Sequence, residues 1–353
     1  MKKSNIIFFI DVLSVVSTFI LLFVSIGSSI SSSINPQNYP FTSMTGLLLP
    51  IIVPVAIILT AYWAIRRSWA FLIPFTALVI NINPILSNFQ LRGSNNYNLY
   101  STEEKLTVLS YNIHEFGFDR NTIPVESIVN FTRNENADIL CFQEFDINGN
   151  MNIDEIIDQF SSFPYSAINH STGEQIGMAI FSKLPIVRWG SIDFEYTGNG
   201  VIWADVKNSD DTEIRVINLH LQTTSINSSR SKSLGDIIDN MTENIKKRYL
   251  QTESVKLLLD TTSKIKIVCG DFNDTPSSYT YKTILGEDLL DGFKESGLGF
   301  GGTYNGFGWF GKVIRIDYIF HSSDLRSIRY VSPDIKWSDH NPVISELVYQ
   351  TRR

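Results

Sequence analysis

Cysteine is nearly absent from this chain of 353 residues. The two that occur, Cys141 and Cys269, each lie inside an apolar segment. Two thiols are too few for a zinc cluster built from cysteine, which excludes that class of site. A disulfide would require the two segments to be close neighbours, so we expect buried free thiols.

Charged residues are nearly absent from the first hundred positions, which hold five of the 29 Lys and Arg and one of the 36 Asp and Glu. Apolar runs over residues 6–26, 47–65 and 69–86 have about the length that a membrane helix needs. The alternatives are buried soluble helices and, for the first run, a cleaved signal peptide. Three such runs within ninety residues would need a soluble core far larger than so short a segment could enclose. We therefore predict three transmembrane helices in residues 1–86.

The basic residues near these runs indicate an orientation. Lys2 and Lys3 precede the first run, and Arg66 and Arg67 separate the second from the third, whereas residues 27–45 contain no Lys or Arg. Cytoplasmic loops are enriched in Lys and Arg. The pattern therefore predicts a cytoplasmic N-terminus and an extracytoplasmic location for everything that follows the third run.

The remainder of the chain is acidic. A polar stretch over residues 87–104 predicts a linker, and residues 105–353 predict a soluble domain. After residue 100 the chain carries 24 basic and 35 acidic residues, a net charge of −11. Domains that hold long nucleic acids are usually basic, so this charge argues mildly against a duplex nuclease. It does not exclude one, because bound metal would neutralise several carboxylates.

Short β-type runs dominate the soluble domain and are interrupted by a few helical patterns. This mixture predicts a mixed-sheet α/β domain, with two packed sheets and helices outside. The predicted strands are 105–112, 137–143, 177–181, 186–189, 201–206, 213–221, 265–269, 314–320 and 343–348, and the predicted helices are 127–134, 152–160 and 243–262.

Six polar groups of metal-ligand or acid/base type close or border four of these strands. Taken singly, each could be a turn residue, a helix cap or a surface pair. Six such groups would be costly to bury without a shared purpose, so together they indicate a functional site. They are Asn112, Glu144, Asp271, Asn273, Asp339 and His340.

The region from about residue 105 to 348 resembles the endonuclease/exonuclease/phosphatase family, whose sequence blocks occur here in the expected order. The blocks are 109–113 (LSYNI), 138–144 (DILCFQE), 218–221 (NLHL), 270–273 (GDFN), 315–318 (RIDY) and 338–340 (SDH). The resemblance implies an α/β fold, a four-layer α/β/β/α sandwich of two mixed sheets. The all-helical membrane region would precede it, and the active site would lie at one end of the sheets.

The resemblance also implies roles for individual residues. Glu144 would bind Mg²⁺ or Mn²⁺, helped by Asn112 and Asp339, since these cations prefer oxygen ligands. Asp271 and Asn273 would position the attacking water and the phosphate.

The histidines and one arginine complete the implied site. His340, oriented by Asp317, would be a base when neutral or a clamp on developing charge when protonated. His220 favours enzymes that act on phosphate esters outside DNA repair, and it could share the acid and base roles. His114 and Arg315 are candidate substrate-binding residues, although His114 could equally be an ordinary loop histidine.

Two loops are expected to set specificity, residues 223–240 and residues 301–311. The second contains aromatic residues that could stack on bases, insert at the lipid interface or pack on their own sheet. These are Tyr304, Phe307, Trp309 and Phe310.

Together these patterns predict a membrane-anchored, outward-facing, metal-dependent phosphoesterase. Its substrate would be a lipid head group, a sugar phosphate or a nucleotide. Nucleic acid is possible but not favoured, because chromosomal DNA lies on the other side of the membrane. The alternatives are an extracytoplasmic endonuclease or exonuclease and a catalytically silent phosphate-binding scaffold.

Overall fold

The computed structural model describes residues 3–91, 93, 104–117, 125–145, 153–169, 177–224, 233–262, 264–306 and 312–350. The chain divides into two compact units. The helical unit comprises Met1–Asn88, Ser225–Tyr249 and Thr275–Lys282. The sandwich unit comprises Phe89–Thr224, Leu250–Asp274 and Thr283–Arg353. Most of the predicted linker, residues 92 and 94–103, lies outside the described residues.

The N-terminal part of the helical unit consists of apolar helices. These are α1 (Lys3–Ile30), α2 (Pro40–Leu47), α3 (Leu49–Ile65), a 3₁₀ turn (Trp69–Phe71), α4 (Leu72–Ile80) and α5 (Ile82–Asn88). Among the described residues one helix, Ile6–Ile30, is by itself long and apolar enough to cross a membrane. The pairs α2 with α3 and Trp69–Ile80 with α5 bend by 62° and 53°, and the count reaches three if each bent pair is one span.

Proline accounts for both bends. Pro50 occupies the first turn of α3, where a missing backbone N–H breaks no helical hydrogen bond, so a new helix can begin there. Pro84 would clash with the carbonyl of Ile80 in a continuous helix, and α4 ends at that residue. The predicted third run therefore contains two helices rather than one. That the second and third runs each cross a membrane stays a prediction.

Hydrogen bonds join the helices of this unit across an apolar core. Trp63 Nε1 donates to Thr18 Oγ1 at 3.1 Å. Asp11, the acidic residue of the first run, accepts from Tyr62 at 2.5 Å and from Arg66 at 2.7 Å. Pairing of this kind is what allows a carboxylate to remain in an apolar helix bundle.

The sandwich unit contains two six-stranded mixed sheets. The first sheet has the order β11-β12-β1-β2-β4-β3 and the second β5-β6-β7-β8-β10-β9. The strands are β1 (Lys105–Asn112), β2 (Ile139–Gln143), β3 (Tyr165–Asn169), β4 (Met178–Ser182), β5 (Ile186–Asp193), β6 (Gly200–Lys207), β7 (Glu213–His220), β8 (Ile265–Asp271), β9 (Leu289–Asp291), β10 (Asp317–Ser322), β11 (Leu325–Val331) and β12 (Val343–Tyr349).

Helices packed on the sheets, α7 (Val125–Asn134), α8 (Ile153–Gln159) and α11 (Gly292–Ser296), confirm the predicted layered α/β sandwich. The other segments of this part of the chain are α6 (His114–Gly117), a single left-handed turn, α9 (Leu234–Asp260) and α10 (Tyr279–Leu285). One core, which includes Val108, Cys141 and Cys269, draws its side chains from both sheets. A second core, which includes Leu109 and Phe142, joins the first sheet to α7 and α8. Alternate residues of one strand thus enter different cores, which explains the continuous apolar runs.

The predicted loop over residues 223–240 is partly wrong, because α9 begins at Leu234. Asp236 N donates to Ser233 Oγ at 3.1 Å, and Ser233 N donates to Asp236 Oδ2 at 2.9 Å. This reciprocal pair is a capping box, which starts a helix even in a polar stretch. Residues 225–232 lie outside the described residues.

Parallel pairing places polar residues of each sheet at one edge. β1 pairs in parallel with β2, and Asn112 stands opposite Gln143. β7 pairs in parallel with β8, and His220 stands opposite Asp271. In both pairs, residues predicted for the site lie at the carboxyl ends of the strands or, as Glu144 does after Gln143, directly beyond them.

A buried carboxylate, Asp205, stabilises the second sheet. Its side chain is inaccessible and contacts Arg215 at 2.7 Å, Lys264 at 2.8 Å and Arg188 at 2.9 Å. Burial raises the pKa of Asp205, but hydrogen bonds from these three cations outweigh burial and hold the pKa well below its ordinary value. The carboxylate therefore stays ionised at neutral pH.

We predict that Asp205→Asn lowers the free energy of unfolding by about 3 kcal/mol at pH 7, because it leaves neighbouring cations without their shared anion. Because the folded-state pKa is lowered, this contribution is complete above the unfolded-state pKa of about 4 and is lost as the pH falls further. Urea unfolding of the detergent-solubilised chain measures both effects. The matched control is Asp211→Asn, which removes an exposed partner of Lys207. Equal stability of the two variants at pH 7 would contradict the prediction.

Candidate active site

Asn112, at the end of β1, joins the two sheets. Its Nδ2 donates to Glu144 Oε1 at 2.9 Å and to Asp271 Oδ2 at 3.1 Å. Glu144 directly follows β2, whereas Asp271 is the last residue of β8 in the other sheet. One amide therefore brings together carboxylates that are 127 positions apart in the sequence.

Asp271, Asp317 and His340 form a buried group next to this amide. His340 Nδ1 lies 2.9 Å from Asp317 Oδ2, and His340 Nε2 lies 3.6 Å from Asp271 Oδ2. Asp317 opens β10, which pairs with β8 so that Asp317 stands opposite Asp271. One donor atom from each of the three lies within 4.8 Å of the others, close enough to hold a metal ion.

His220 and Asn273 lie at the same end of the sheets. His220 Nε2 is 3.6 Å from Glu144 Oε1 and 4.0 Å from Asp271 Oδ2. Asn273 Nδ2 donates to Asp271 Oδ2 at 3.0 Å and to Leu221 O at 2.8 Å. The structure thus brings all five residues with a predicted catalytic role into one cluster.

Gly270 permits the approach of β8 to β7. Its φ is 129°, and a Cβ at this position would lie 2.0 Å from Leu219 O. Any side chain would separate the two strands next to Asp271.

His114 and Asp339 complete the cluster on the side of Glu144. His114 Nδ1 lies 3.3 Å from Glu144 Oε2 and 3.4 Å from Asp339 Oδ1. His114, Glu115 and Phe116 have φ values of 47°, 49° and 57°, a left-handed turn that side chains with a Cβ disfavour. Strain of this kind persists where surrounding contacts require it, and it occurs frequently at functional sites.

Arg315 lies elsewhere. Its guanidinium is fully buried, 2.9 Å from Asp291 Oδ2, and stacks over the rings of Phe293 at 4.3 Å and Tyr318 at 4.8 Å. The structure does not bring it into the cluster, and its role as a substrate ligand stays a prediction. In the loop over residues 301–311, Tyr304 packs edge-on against His340 with ring centroids 5.2 Å apart. Phe307, Trp309 and Phe310 lie outside the described residues.

Burial and neighbouring charges separate the pKa values of the two central carboxyl groups. Burial of Glu144 acts to raise its pKa, but the His114 hydrogen bond, His220 and Asn112 outweigh it and bring the pKa to about 2. Burial raises the pKa of Asp271 to about 7, with a further rise from Asp317 and an opposing effect of His340. At neutral pH Glu144 is ionised, whereas Asp271 keeps its proton to higher pH than an ordinary carboxyl group.

Burial and neighbouring charges also separate the pKa values of the two central histidines. Burial lowers the pKa of His340, but Asp317 and Asp271 outweigh burial and raise the pKa well above its ordinary value. Burial lowers the pKa of His220 by more than Glu144 raises it. The site thus combines a protonated imidazole with a neutral one, which suits charge stabilisation and proton transfer.

Two features of this site were not predicted from the sequence. Ser338 Oγ donates to Asn112 O at 2.8 Å and thereby holds the segment that carries Asp339 and His340 against β1. Its position in the block over 338–340 was the available signal. The sequence also did not indicate that Asp271, Asp317 and His340 offer a group able to hold a metal, because their closeness depends on the pairing of β8 with β10.

Comparison with known proteins places this geometry among phosphoesterases. Residues 109–340 match the Endonuclease/Exonuclease/phosphatase family. Residues 5–88 match a second family, described as a domain of unknown function (DUF8431). None of the curated proteins matches the chain.

Several solved structures share the fold. An endonuclease/exonuclease/phosphatase from Beutenbergia cavernae DSM 12333 has a TM-score of 0.52 and 16% identity, covering 69% of this chain and 72% of that one. Truncated Caenorhabditis elegans TDP2 has a TM-score of 0.51 and 19% identity, covering 69% and 97%. D. rerio TDP2 humanized by 14 mutations has a TM-score of 0.51 and 16% identity, covering 69% and 98%. At these identities the likeness shows the fold alone.

We predict that Asp317→Asn lowers the pKa of His340, because the carboxylate that stabilises the protonated imidazole is lost while the shape is retained. Turnover should fall by about 10²-fold or more, as expected for a disturbed acid or base. Proton NMR of the histidine ring carbons measures the pKa.

The matched control is Glu295→Gln, which changes the partner of His321 on the same strand, where Glu295 Oε2 lies 2.9 Å from His321 Nε2. It should leave turnover unchanged. An unaltered His340 titration in Asp317→Asn would refute the assigned pairing.

Proposed function

Because this chain belongs to the Endonuclease/Exonuclease/phosphatase family and is a hydrolase of phosphate ester bonds, we propose that it is a membrane-anchored, divalent-metal-dependent phosphodiesterase or phosphatase. The observation that carries the proposal is the convergence of Glu144, Asp271 and His340, from separate strand ends, at one end of the two sheets. Asn112 contacts both carboxylates, and His340 Nε2 lies 3.6 Å from Asp271. A binding scaffold has no need of such an arrangement of acids and bases.

The donor groups present fit a divalent cation. Glu144 Oε2 and Asp339 Oδ1 both approach one atom, His114 Nδ1, to within 3.4 Å, so the two carboxylates can serve one positive centre. We propose Mg²⁺ or Mn²⁺ held by Glu144, Asn112 and Asp339, since hard cations select oxygen ligands. A bound cation would neutralise phosphate charge and polarise the phosphoryl oxygen.

The group formed by Asp271, Asp317 and His340 also satisfies the distance condition for a metal. We assign it to proton transfer instead, because an imidazole that carries a proton repels a cation. The raised pKa of His340 supports this assignment.

Each residue of this group then has a defined task. Nε2 of protonated His340 donates to the phosphate as charge develops, and Asp317 holds the ring through Nδ1. Asp271, with a pKa of about 7, accepts the proton of the attacking water near neutral pH. Neutral His220 supplies a further donor, with its Nε2 3.6 Å from Glu144 Oε1.

Charge favours a small ester as the substrate. The part of the chain after residue 100 has a net charge of −11, which repels a long polyanion. A phospholipid head group, a sugar phosphate or a nucleotide brings only a few charges, which one cation and His340 can compensate. We therefore place nucleic acid second among the substrates.

The N-terminal helices support a membrane location. Helix α1 presents large apolar side chains to its surroundings, among them Phe8 and Phe23, which are 71% and 79% exposed. An exposed apolar surface of this kind is unfavourable in water and favourable in lipid. With the distribution of Lys and Arg, we propose a multi-span anchor with the catalytic domain outside.

We predict that Asp271→Asn and His340→Ala each reduce kcat by about 10²-fold to 10⁴-fold, because each removes a group that moves or holds a proton. The assay is a panel of lipid, sugar, nucleotide and polynucleotide esters with Mg²⁺ or Mn²⁺, using the detergent-solubilised chain. Glu144→Gln should instead raise the metal concentration needed for half-maximal activity.

Circular dichroism checks that each of these variants folds. Full activity of Asp271→Asn or His340→Ala would disprove the roles assigned. Plasmid nicking that persists at moderate salt, with no activity on small esters, would replace the proposal by a nuclease.

We predict that a thiol reagent unable to cross membranes labels Tyr196→Cys in intact cells, because Tyr196 is 87% exposed on the sandwich unit. Trp69, near the arginine pair, is also exposed, by 81%. Trp69→Cys should react only after the cells are opened. The native thiols, Cys141 and Cys269, are buried and free and give little background. The reverse labelling pattern would overturn the proposed orientation.

A further inference from the structure

Two buried amides meet across the gap between the sheets. Gln143 ends β2 in the first sheet, and Asn218 lies in β7 of the second, and neither side chain is accessible to solvent. Gln143 Nε2 donates to Asn218 Oδ1 at 2.5 Å. An amide is costly to bury unless it is hydrogen-bonded, so each amide depends on the other.

Asn218 is also attached to the backbone of the first sheet. Its Nδ2 donates to Phe142 O at 2.8 Å and to Ala179 O at 3.2 Å. Phe142 and Ala179 stand opposite each other in the ladder of β2 and β4. The Asn218 side chain therefore bonds to two strands of the opposite sheet. These hydrogen bonds restrict the sliding of one sheet against the other.

Gln143 extends the same network to a third strand of the first sheet. Its Nε2 also lies 3.2 Å from Ser110 Oγ on β1. Ser110 and Asn112 are two positions apart, so they share one face of β1. The network thus lies directly beneath the residue that contacts both Glu144 and Asp271.

The amide pair also lies directly beneath two other residues of the site. Gln143 immediately precedes Glu144. Asn218 and His220 share one face of β7, because side chains alternate along a strand. Glu144 Oε1 and His220 Nε2 are 3.6 Å apart, and they come from opposite sheets. Any change in the spacing or register of the sheets at this level would change that distance.

We propose that Gln143 and Asn218 are positioning residues, an inter-sheet amide bridge that fixes Glu144 against His220 for catalysis and metal binding. The inference rests on the proposed function and deepens it. Neither residue touches the substrate, and both act through the residues next to them. If the two amides had only a structural role, their loss would lower stability and leave kcat and metal affinity unchanged. Measuring all three quantities therefore distinguishes a positioning role from a structural one.

The test compares Gln143→Met and Asn218→Leu with the wild-type full chain in detergent. Gln143→Met keeps length and volume and leaves the two backbone bonds of Asn218 intact, so it is the milder change. We expect kcat to fall by about 10²-fold in Asn218→Leu and by a smaller factor in Gln143→Met, with KM nearly unchanged. The exchanged pair Gln143→Asn with Asn218→Gln keeps both amides and their summed length, and it should recover much of the lost kcat.

A second measurement does not depend on turnover. Mn²⁺ binding, followed by electron paramagnetic resonance, should weaken about tenfold or more in Asn218→Leu, because Glu144 is no longer held. If the wild-type chain hydrolyses no phosphate ester, the proposed function fails, and Mn²⁺ binding alone then decides on the amide bridge.

The control is Ser327→Ala. It breaks buried hydroxyl contacts with Ser345 at 2.8 Å and Ser296 at 2.7 Å, which involve none of the cluster residues. It should lower the thermal midpoint and leave kcat and Mn²⁺ affinity unchanged. The proposal is overturned if Gln143→Met and Asn218→Leu behave like this control, or if the exchanged pair folds without any recovery.

Discussion

Asp271, Asp317 and His340 are ionisable side chains that are almost completely buried, and the His340 imidazole lies within 3.6 Å of both carboxylates. An isolated charge at such a depth is unfavourable by several kcal/mol, whereas a hydrogen-bonded group of opposite charges can remain. The contact of one imidazole with two carboxylates requires all three side chains to be held in place at once. The antiparallel pairing of β8 with β10 meets that requirement, because it sets Asp271 opposite Asp317.

The same constraint explains where the backbone departs from favoured conformations. His114, Glu144 and Asn273, all in the cluster, have positive φ values of 47°, 51° and 52°. Each such residue costs about 1–3 kcal/mol, and the packed sheets supply the contacts that enforce it. The sandwich is thus a rigid support for a locally strained rim, an arrangement suited to holding charged groups at fixed distances.

Local sequence patterns predicted most strands and the type of fold, because apolar runs and the polar residues that close them are local features. The resemblance to the family added His220 and Asp317 to the predicted site. The three strands that sequence patterns missed, β3, β9 and β11, are all at sheet edges. Edge strands here are short, partly exposed or interrupted by a bulge, as at Ser327 in β11, so their alternation is weak. The burial of Arg315 against Asp291, and the meeting of Gln143 with Asn218, depend on strand order, which local patterns do not contain.

The central claim is that Asn112, Glu144 and Asp339 hold one divalent cation next to the proton-transfer group formed by Asp271, Asp317 and His340. Anomalous scattering from crystals of the full chain soaked in Mn²⁺ tests it most directly. The account predicts one strong peak in contact with the Glu144 carboxylate. A peak elsewhere with Glu144 unliganded, or no peak at millimolar Mn²⁺, would contradict it.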